Sequence, residues 1–466
     1  MKRLSVFCLV SLFLLAVSSV FAQDYSYHRF KEHRDQYEQP LKTVLADMEK
    51  DLDIKIVWDK KFEPFLDAKV AIAPWKLWND PQIRLAYVLA PLDLSFEKTD
   101  AKTYRVFEPW YYMRPELEGK AHLDRILKRF PDKASWETRR QEVCKAILKT
   151  LDLDPLPRQN PQNLIATEKR TYDGYTAQNI ALEVIPKYYV CATLYEPIKK
   201  KGPFPIVLCP HGHGKKGRTG EDQQYRSATL ARMGAVVVTY SMFAWLEAET
   251  PLLHTDHRHP ISGTMQTLAT IRFLDYMLAN KSIDRTKVGI TGCSGGGTQT
   301  FLGTALDNRI TVSVPVVMAS SHFFGGCPCE SGLPFHTLCG GTCNAEIACF
   351  AAPRPMKLIA VTQDWTKNTP TVEFPFAQKV YGYFGAADKV EYAIFDEPHN
   401  YGPSKRQAMY PFMAKHLGLD MKQVDESKVT IETAETLAVF GPNRERYPKN
   451  GIKNIDELIQ AFRAAK

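Results

Sequence analysis

The sequence predicts an α/β protein in which a mostly parallel sheet is covered by helices on both faces, preceded by a small N-terminal α/β domain. Two observations support this prediction. From about residue 164 to residue 418, short apolar runs alternate with helical stretches, as in parallel strands buried on both faces. Residues 40–109 show a similar mixture on a smaller scale. With 466 residues, 44% apolar and 24% charged, the chain is not collagen-like, low-complexity or wholly disordered.

The small domain is predicted at residues 40–109. Its first helix carries apolar residues at helical spacing on one face: Leu41, Val44, Leu45, Met48 and Leu52. Two strands, a second helix and two final strands follow. This order resembles the short N-terminal domain of secretins and TonB-dependent receptors, a periplasmic docking module, which implies an envelope protein as a partner. The alternative is an accessory domain that packs on the larger one.

The larger domain is predicted at residues 161–420, after a helical connector at 110–160 and before a C-terminal extension at 421–466. Two antiparallel strands are expected to open it, and six further strands are predicted from apolar runs: Phe204 to Cys209, Ala235 to Tyr240, Val288 to Thr291, Val312 to Met318, Lys357 to Thr362 and Val390 to Phe395. Ligands of such sheets bind at the carboxyl ends of the strands. The functional residues are therefore expected in the loops that follow these runs.

Residues 1–22 are predicted to form a secretory signal peptide. Lys2 and Arg3 precede an apolar stretch from Leu4 to Val20, and Ala22 supplies a small residue for cleavage. An uncleaved membrane anchor is the alternative, although serines shorten the apolar run. The mature chain is thus expected in the periplasm or outside the cell. Cleavage removes two positive charges from the net charge of +8, and the mild excess of +6 indicates no nucleic-acid partner.

Cysteines are concentrated in one segment. Ten cysteines less Cys8 leave nine in the mature chain, and five of these lie close together: Cys327, Cys329, Cys339, Cys343 and Cys349. In an exported protein, this crowding favours a loop tied by disulfides. Reduced buried thiols and a zinc site are the alternatives. Because nine is odd, at least one thiol stays unpaired within the chain.

The segment Gly292-Cys-Ser-Gly-Gly296 has the pattern Gly-x-Ser-x-Gly between a predicted strand and a predicted helix. In that context the pattern indicates a sharp turn that exposes the serine at the edge of the sheet, so Ser294 is the candidate nucleophile. A glycine-rich phosphate loop is the alternative, but no Lys-Ser/Thr pair follows. Cys293 is expected to pack inside the turn.

A serine nucleophile needs a base, and the base needs a carboxylate that orients it. His399 follows the strand predicted to end at Phe395, and Asp364 follows the strand predicted to end at Thr362. We therefore predict His399 as the general base and acid and Asp364 as the orienting carboxylate. Glu330 is the alternative acid, because it also lies on a loop after a predicted strand.

Acyl transfer further requires donors for the developing oxyanion. The backbone N–H groups of Gly295 and of His213, in a glycine-rich loop after a strand, are the candidates. The side chains of His211 and His213 are open to two interpretations, loop packing or a two-histidine metal site. For the polar cluster at residues 254–259, a solvated loop is favoured over metal binding. No metal ligand is assigned.

At this point the chain resembles bacterial α/β-hydrolases of the acetyl xylan esterase-like and dienelactone hydrolase-like type. The resemblance covers roughly residues 135–445 and depends on motifs that occur in this order: Pro210-His-Gly-His213, Gly289-Ile-Thr-Gly-Cys-Ser-Gly-Gly-Gly-Thr-Gln299, Cys327-Pro-Cys-Glu330, Ala351-Ala-Pro-Arg-Pro355, Asp364-Trp-Thr-Lys-Asn-Thr-Pro370 and Pro398-His-Asn-Tyr401. It implies the same roles for Ser294, Asp364 and His399. It also implies a carboxylic ester hydrolase that needs no metal and no cofactor.

The expected function is therefore that of an exported serine esterase. Its expected substrate is a small acylated carbohydrate, from which it removes acetyl or similar groups through an acyl-enzyme; this substrate is a family-level analogy. A serine peptidase or an acyltransferase on the same fold is the alternative enzyme. A non-catalytic envelope docking module is the alternative outside enzymology.

Overall fold

The computed structural model describes residues 38–466, except for 59, 72–78, 90–91, 93, 108–113, 159–162, 199–200, 246–249, 331–333 and 442. The predicted signal peptide lies outside the described residues. Among the helices of the described residues, none has the length and apolar character required to cross a bilayer.

The N-terminal unit combines two helices with two small sheets. Its elements are β1 (Glu38–Pro40), α1 (Leu41–Leu52), β2 (Lys55–Val57), β3 (Lys69–Ala71), α2 (Pro81–Leu89), β4 (Ser95–Lys98) and β5 (Thr103–Phe107). Strand β1 pairs antiparallel with β3, and the other sheet has the order β2-β5-β4. The apolar face predicted for α1 is buried, apart from Leu52, which is half-buried.

This unit packs against the larger part of the chain. The hydroxyl of Tyr87 in α2 donates a hydrogen bond of 2.6 Å to the backbone carbonyl of Pro260. Ile83 and Tyr87 also belong to the same apolar cluster as the main sheet. An intramolecular contact of this kind is what an accessory domain makes, and the resemblance to an envelope docking module stays a prediction.

Two helices of the connector, α3 (Glu116–Arg129) and α4 (Lys133–Thr150), lead to a ten-stranded sheet. Its strands are β6 (Leu164–Ala166), β7 (Arg170–Thr171), β8 (Tyr175–Ile185), β9 (Tyr188–Pro197), β10 (Phe204–Leu208), β11 (Val236–Tyr240), β12 (Ile283–Cys293), β13 (Val312–Val316), β14 (Met356–Val361) and β15 (Val390–Phe395). The helices that follow are α5 (Glu221–Met233), α6 (Ile261–Ala279), α7 (Gly295–Leu306), α8 (Asn344–Cys349), α9 (Glu373–Gly382), α10 (Pro403–Leu417), α11 (Ala434–Leu437) and α12 (Ile455–Ala465).

The strand order is β15-β14-β13-β12-β10-β11-β9-β8-β6, with β7 paired to β8. The strands from β10 to β15 pair in parallel where they are neighbours, whereas β6 to β9 join the sheet antiparallel. Both faces are buried: in β10, Ile206 and Leu208 belong to one apolar cluster and Val207 to the other. The predicted α/β class is confirmed, and the parallel strands end at one edge of the sheet.

A buried ion pair joins the connector to the main domain. Arg139 in α4 donates to both carboxylate oxygens of Glu346 in α8, at 2.7 and 3.1 Å. Its guanidinium also donates to the backbone carbonyls of Cys339 and Gly341, at 2.6 and 2.7 Å. Both charged side chains are fully enclosed, so each depends on the other for its electrostatic stabilisation.

Arg139→Ala is expected to lower the free energy of unfolding by about 3–5 kcal/mol, because Glu346 would stay buried without its counter-charge. Urea unfolding followed by circular dichroism measures the change. The matched control is the neighbouring Arg140→Ala, which removes a partly exposed pair with Glu137 and is expected to cost about 0–1 kcal/mol. Equal destabilisation by the two variants would contradict the importance of the buried pair.

Candidate active site

Ser294 lies at a sharp turn between β12 and α7. Its φ is 58° and its ψ is −123°, a strained conformation for a residue that has a Cβ. The turn also requires glycine beside it: a Cβ on Gly292 would lie 2.5 Å from the carbonyl oxygens of both Gly296 and Pro210. The Gly-x-Ser-x-Gly segment thus forms a strand–turn–helix. The adjacent Cys293 is buried, and burial raises the pKa of its thiol, which keeps it protonated and weakly nucleophilic.

His399 and Asp364 meet beside this turn, at the ends of β15 and β14. The Nδ1 of His399 lies 2.7 Å from Oδ2 of Asp364. The other carboxylate oxygen accepts from the backbone N–H and the hydroxyl of Thr366, both at 2.6 Å. Because the carboxylate is held by two donors and the Asp364 side chain is only 3% exposed, it fixes the imidazole with Nε2 available for other contacts.

Ser294 and His399 line the same cavity, which has a volume of about 530 Å³. The loop at 212–217 borders the cavity on one side, and residues 399–402 border it on another. Within the described part of the chain, no hydrogen bond joins the Ser294 and His399 side chains. In serine hydrolases without substrate, the contact between the nucleophile and its base is often too long for a hydrogen bond and shortens when substrate binds. The arrangement places a hydroxyl, an imidazole and a carboxylate at one site large enough for a sugar-sized ligand.

The loop after β10 lies directly against the turn. A Cβ on Gly212 would be 2.9 Å from the Cβ of Ser294, so only glycine permits this approach. His211 anchors the loop: its Nδ1–H donates to the carbonyl of Gly212 at 2.8 Å, and its Nε2 accepts from the N–H of Met242 at 2.9 Å. Burial lowers the pKa of His211 to about 3, so the ring is neutral, as this pair of hydrogen bonds requires.

The side chain of His213 is partly buried and lies in a cluster with His257, Cys327 and Cys329. No disulfide joins the nine cysteines of the described residues, so the predicted disulfide-tied loop is wrong. In place of disulfide bonds, the thiols of Cys327 and Cys329 approach each other and the two imidazoles, while Cys343 and Cys349 are packed in the apolar core. The solvated loop predicted at 254–259 is also wrong, because most of this turn is buried and His257 is fully so.

Glu330, the alternative acid, lies beside His213 and not at His399. Its Oε1 is 3.7 Å from Nδ1 of His213 and accepts from the N–H of Gly326 at 3.0 Å. The side chain is buried, and this burial raises the pKa of the carboxyl. Asp364 is therefore the carboxylate that the structure brings to His399, whereas Glu330 belongs to the surroundings of His213.

Sequence reasoning missed two contributors to the site. Thr366 holds Asp364, and the signal for it was the Asp-x-Thr spacing, in which a hydroxyl and an N–H two residues on reach back to the carboxylate. Trp365 packs its ring against His399, with 4.7 Å between ring centroids. The Trp365 ring therefore restricts the imidazole of His399 on a second side, in addition to the hydrogen-bonding contact with Asp364.

The chain is similar to several solved carbohydrate esterases. It is 39% identical to methylesterase BT1017, covering 92% of this chain and 97% of that one, with a TM-score of 0.74. The glucuronoyl esterase from Solibacter usitatus is 15% identical over 61% of this chain and 94% of that one, with a TM-score of 0.46. The acetyl xylan esterase from Paenibacillus sp. R4 is 15% identical over 61% and 96%, with a TM-score of 0.41.

Other comparisons are more limited. A family model described as glucuronyl esterase of fungi matches residues 262–329, a stretch that contains the Ser294 turn. No curated protein matches the chain. Of these likenesses, the one to methylesterase BT1017 extends over nearly the whole of both chains.

Proposed function

Because this chain belongs to the family of methylesterase BT1017, we propose that it is a serine esterase that hydrolyses methyl esters of carbohydrate acids. The serine mechanism is proposed from one observation. Ser294 and His399 line one cavity, and the imidazole of His399 is held by the buried carboxylate of Asp364. Because that relative is named a methylesterase, we propose a methyl ester as the substrate in place of the acetyl ester expected from the sequence. We also propose that the enzyme acts outside the cytoplasm, because residues 1–22 have the pattern of a secretory signal peptide.

The proposed reaction has two steps. Ser294 Oγ attacks the ester carbonyl while Nε2 of His399 takes the hydroxyl proton, and Asp364 stabilises the imidazolium. The N–H groups of Gly295 and His213 receive the oxyanion; that of Gly295 lies at the start of α7, where backbone donors have no partner within the helix. The bond to the methoxy group then breaks, and His399 returns the proton to give methanol. Water, activated by His399, cleaves the acyl-enzyme to the free carboxylic acid and regenerates Ser294.

A panel of substrates tests this proposal. The purified chain is incubated with methyl-esterified polygalacturonate fragments, acetylated xylo-oligosaccharides and peptides, and the release of methanol, acetate and amines is measured. We expect methanol release to exceed acetate release by about tenfold or more, since a pocket shaped for one ester discriminates by at least this amount. Faster acetate release would replace the methyl ester by the acetyl ester as substrate.

The remaining outcomes separate the other functions. Amine release from peptides would indicate a serine peptidase. Transfer of the acyl group to an added alcohol in preference to water would indicate an acyltransferase. If the purified chain turned over no member of the panel, this result would contradict the esterase proposal and favour a docking module.

A further inference from the structure

The cluster next to the proposed oxyanion loop contains four side chains with metal-binding atoms. They come from three separate segments: His213 follows β10, His257 lies in the turn before α6, and Cys327 and Cys329 lie in the loop after β13. Their ligand atoms all lie within 4.8 Å of one another. His257 and Cys329 are fully buried, Cys327 is 5% exposed, and the side chain of His213 is 20% exposed.

The distances between these atoms are close to those of a tetrahedral site. Nε2 of His213 is 3.1 Å from Nε2 of His257, and it is 3.2 Å from the sulfur of each cysteine. The sulfur of Cys327 is 3.4 Å from Nε2 of His257. A tetrahedron with bonds of ~2.0–2.1 Å to nitrogen and ~2.3 Å to sulfur has edges of roughly 3.3–3.8 Å. The two sulfurs, 2.6 Å apart, would separate by about 1 Å around an ion.

The second nitrogen of each imidazole faces an acceptor. Nδ1 of His257 lies 2.6 Å from the backbone carbonyl of Phe243, to which it donates when Nε2 is the ligand atom. Nδ1 of His213 faces the buried carboxylate of Glu330 at 3.7 Å. The other oxygen of that carboxylate, Oε2, has no hydrogen-bond partner among the described residues. Carbonyl and carboxylate partners of this kind orient histidine ligands in metal sites and direct Nε2 at the ion.

We propose that His213, His257, Cys327 and Cys329 bind one zinc ion. Two thiolates and two imidazoles in a tetrahedral arrangement are the ligand set that zinc prefers. On binding, each cysteine thiol releases one proton and its sulfur forms a bond to the ion, so that two protons leave for each zinc taken up. With four protein ligands the site is closed, which makes the zinc structural and leaves the ester chemistry to Ser294.

The effect of the zinc ion on catalysis rests on the proposed esterase function. The His213 ring also lies over the start of α7, since a Cβ on Gly295 would be 2.8 Å from Cε1 of His213. An ion that fixes the ring to the 254–258 turn and to the 327–329 loop therefore fixes the backbone N–H of His213, one of the two proposed oxyanion donors. His257, Cys327 and Cys329 act here as positioning residues and do not touch substrate.

Metal content tests the proposal directly. The full chain is purified under reducing conditions without added chelator, and its zinc content is measured by inductively coupled plasma mass spectrometry. We expect one zinc per chain in the wild-type protein and none in the double variant Cys327→Ser/Cys329→Ser. The matched control is Cys339→Ser, which removes a half-buried thiol of the same segment outside the cluster and is expected to keep its zinc. Replacement of zinc by Co²⁺ is expected to give the visible absorption of tetrahedral cobalt together with thiolate-to-cobalt charge transfer.

Wild-type protein without zinc and without a cobalt spectrum, at fully reduced thiols, would overturn the proposal. A Cys327–Cys329 disulfide found by peptide mass spectrometry in the protein as purified would do the same. If the double variant fails to fold, the cobalt spectrum of the wild-type chain still decides. Removal of zinc by a strong chelator is expected to lower kcat by roughly 10²-fold, the effect of losing one oxyanion donor.

The zinc site and the proposed function fail in different ways. Turnover that depends on Ser294 in a chain that binds no zinc would overturn only the metal site. A chain that binds one zinc but hydrolyses no ester would overturn only the proposed function.

Discussion

Replacing Ser294 with alanine is expected to lower kcat for methyl ester hydrolysis by roughly 10³- to 10⁶-fold. The hydroxyl is the proposed nucleophile, and no acyl-enzyme forms without it. The oxyanion donors and the substrate contacts of the cavity remain, so KM is expected to change by only a few fold. Initial rates of methanol release at several substrate concentrations measure both constants.

The matched control for this variant is Ser282→Ala. Ser282 is exposed and precedes the opposite end of the same strand, β12, so it shares the residue change but lies outside the cavity. We expect its kcat and KM to equal those of the wild-type chain. A rate for Ser294→Ala within a few fold of the control would end the serine mechanism, even if the chain still hydrolysed esters.

Much of the fold could be predicted because the parallel strands are continuous apolar runs of mostly five or six residues with clear ends. The strand at Val390–Phe395 has the bounds that were predicted from the run alone. The edge strands β6 and β7 were not predicted, because three and two residues are too few to show a period. The same holds for β1, whose pairing with β3 depends on a contact between segments about 30 residues apart.

The predictions for the site differ in the same way. Ser294, Asp364 and His399 each follow a recognisable strand, and parallel strands bring their carboxyl ends to one edge whatever the loops do. The strand order does not predict the cluster around His213 in the same way, because its other members lie in a turn and in a loop. His257 lies 44 residues from His213 and 70 from Cys327, and the three segments meet only through the packing of loops. From spacing alone, the cysteines favoured disulfides, because nothing local connects them with two distant histidines.

Asp364→Asn is expected to lower kcat by roughly 10²- to 10⁴-fold with little change in KM. The asparagine amide keeps the shape of the carboxyl but presents an N–H group that favours the other tautomer of His399. In that tautomer Nε2 carries the proton and cannot accept one from Ser294, and the charge that stabilises the imidazolium is gone. The hydrogen bonds from Thr366 remain possible to the amide oxygen, so the melting temperature is expected to change little. Methanol release and thermal unfolding are measured on the same preparation.

Two further variants identify the acid. Asp396 lies three residues before His399, and its exposed carboxylate accepts a hydrogen bond from the hydroxyl of Thr362. We expect Asp396→Asn to leave the rate unchanged. Glu330→Gln changes the alternative acid, whose nearest imidazole is that of His213 and not that of His399. We expect it to lower the rate much less than Asp364→Asn, since the charge beside His399 is intact. If Glu330→Gln caused the larger fall in kcat at unchanged zinc content, Glu330 would replace Asp364 as the carboxylate of the mechanism, and the 2.7 Å contact with His399 would be only structural.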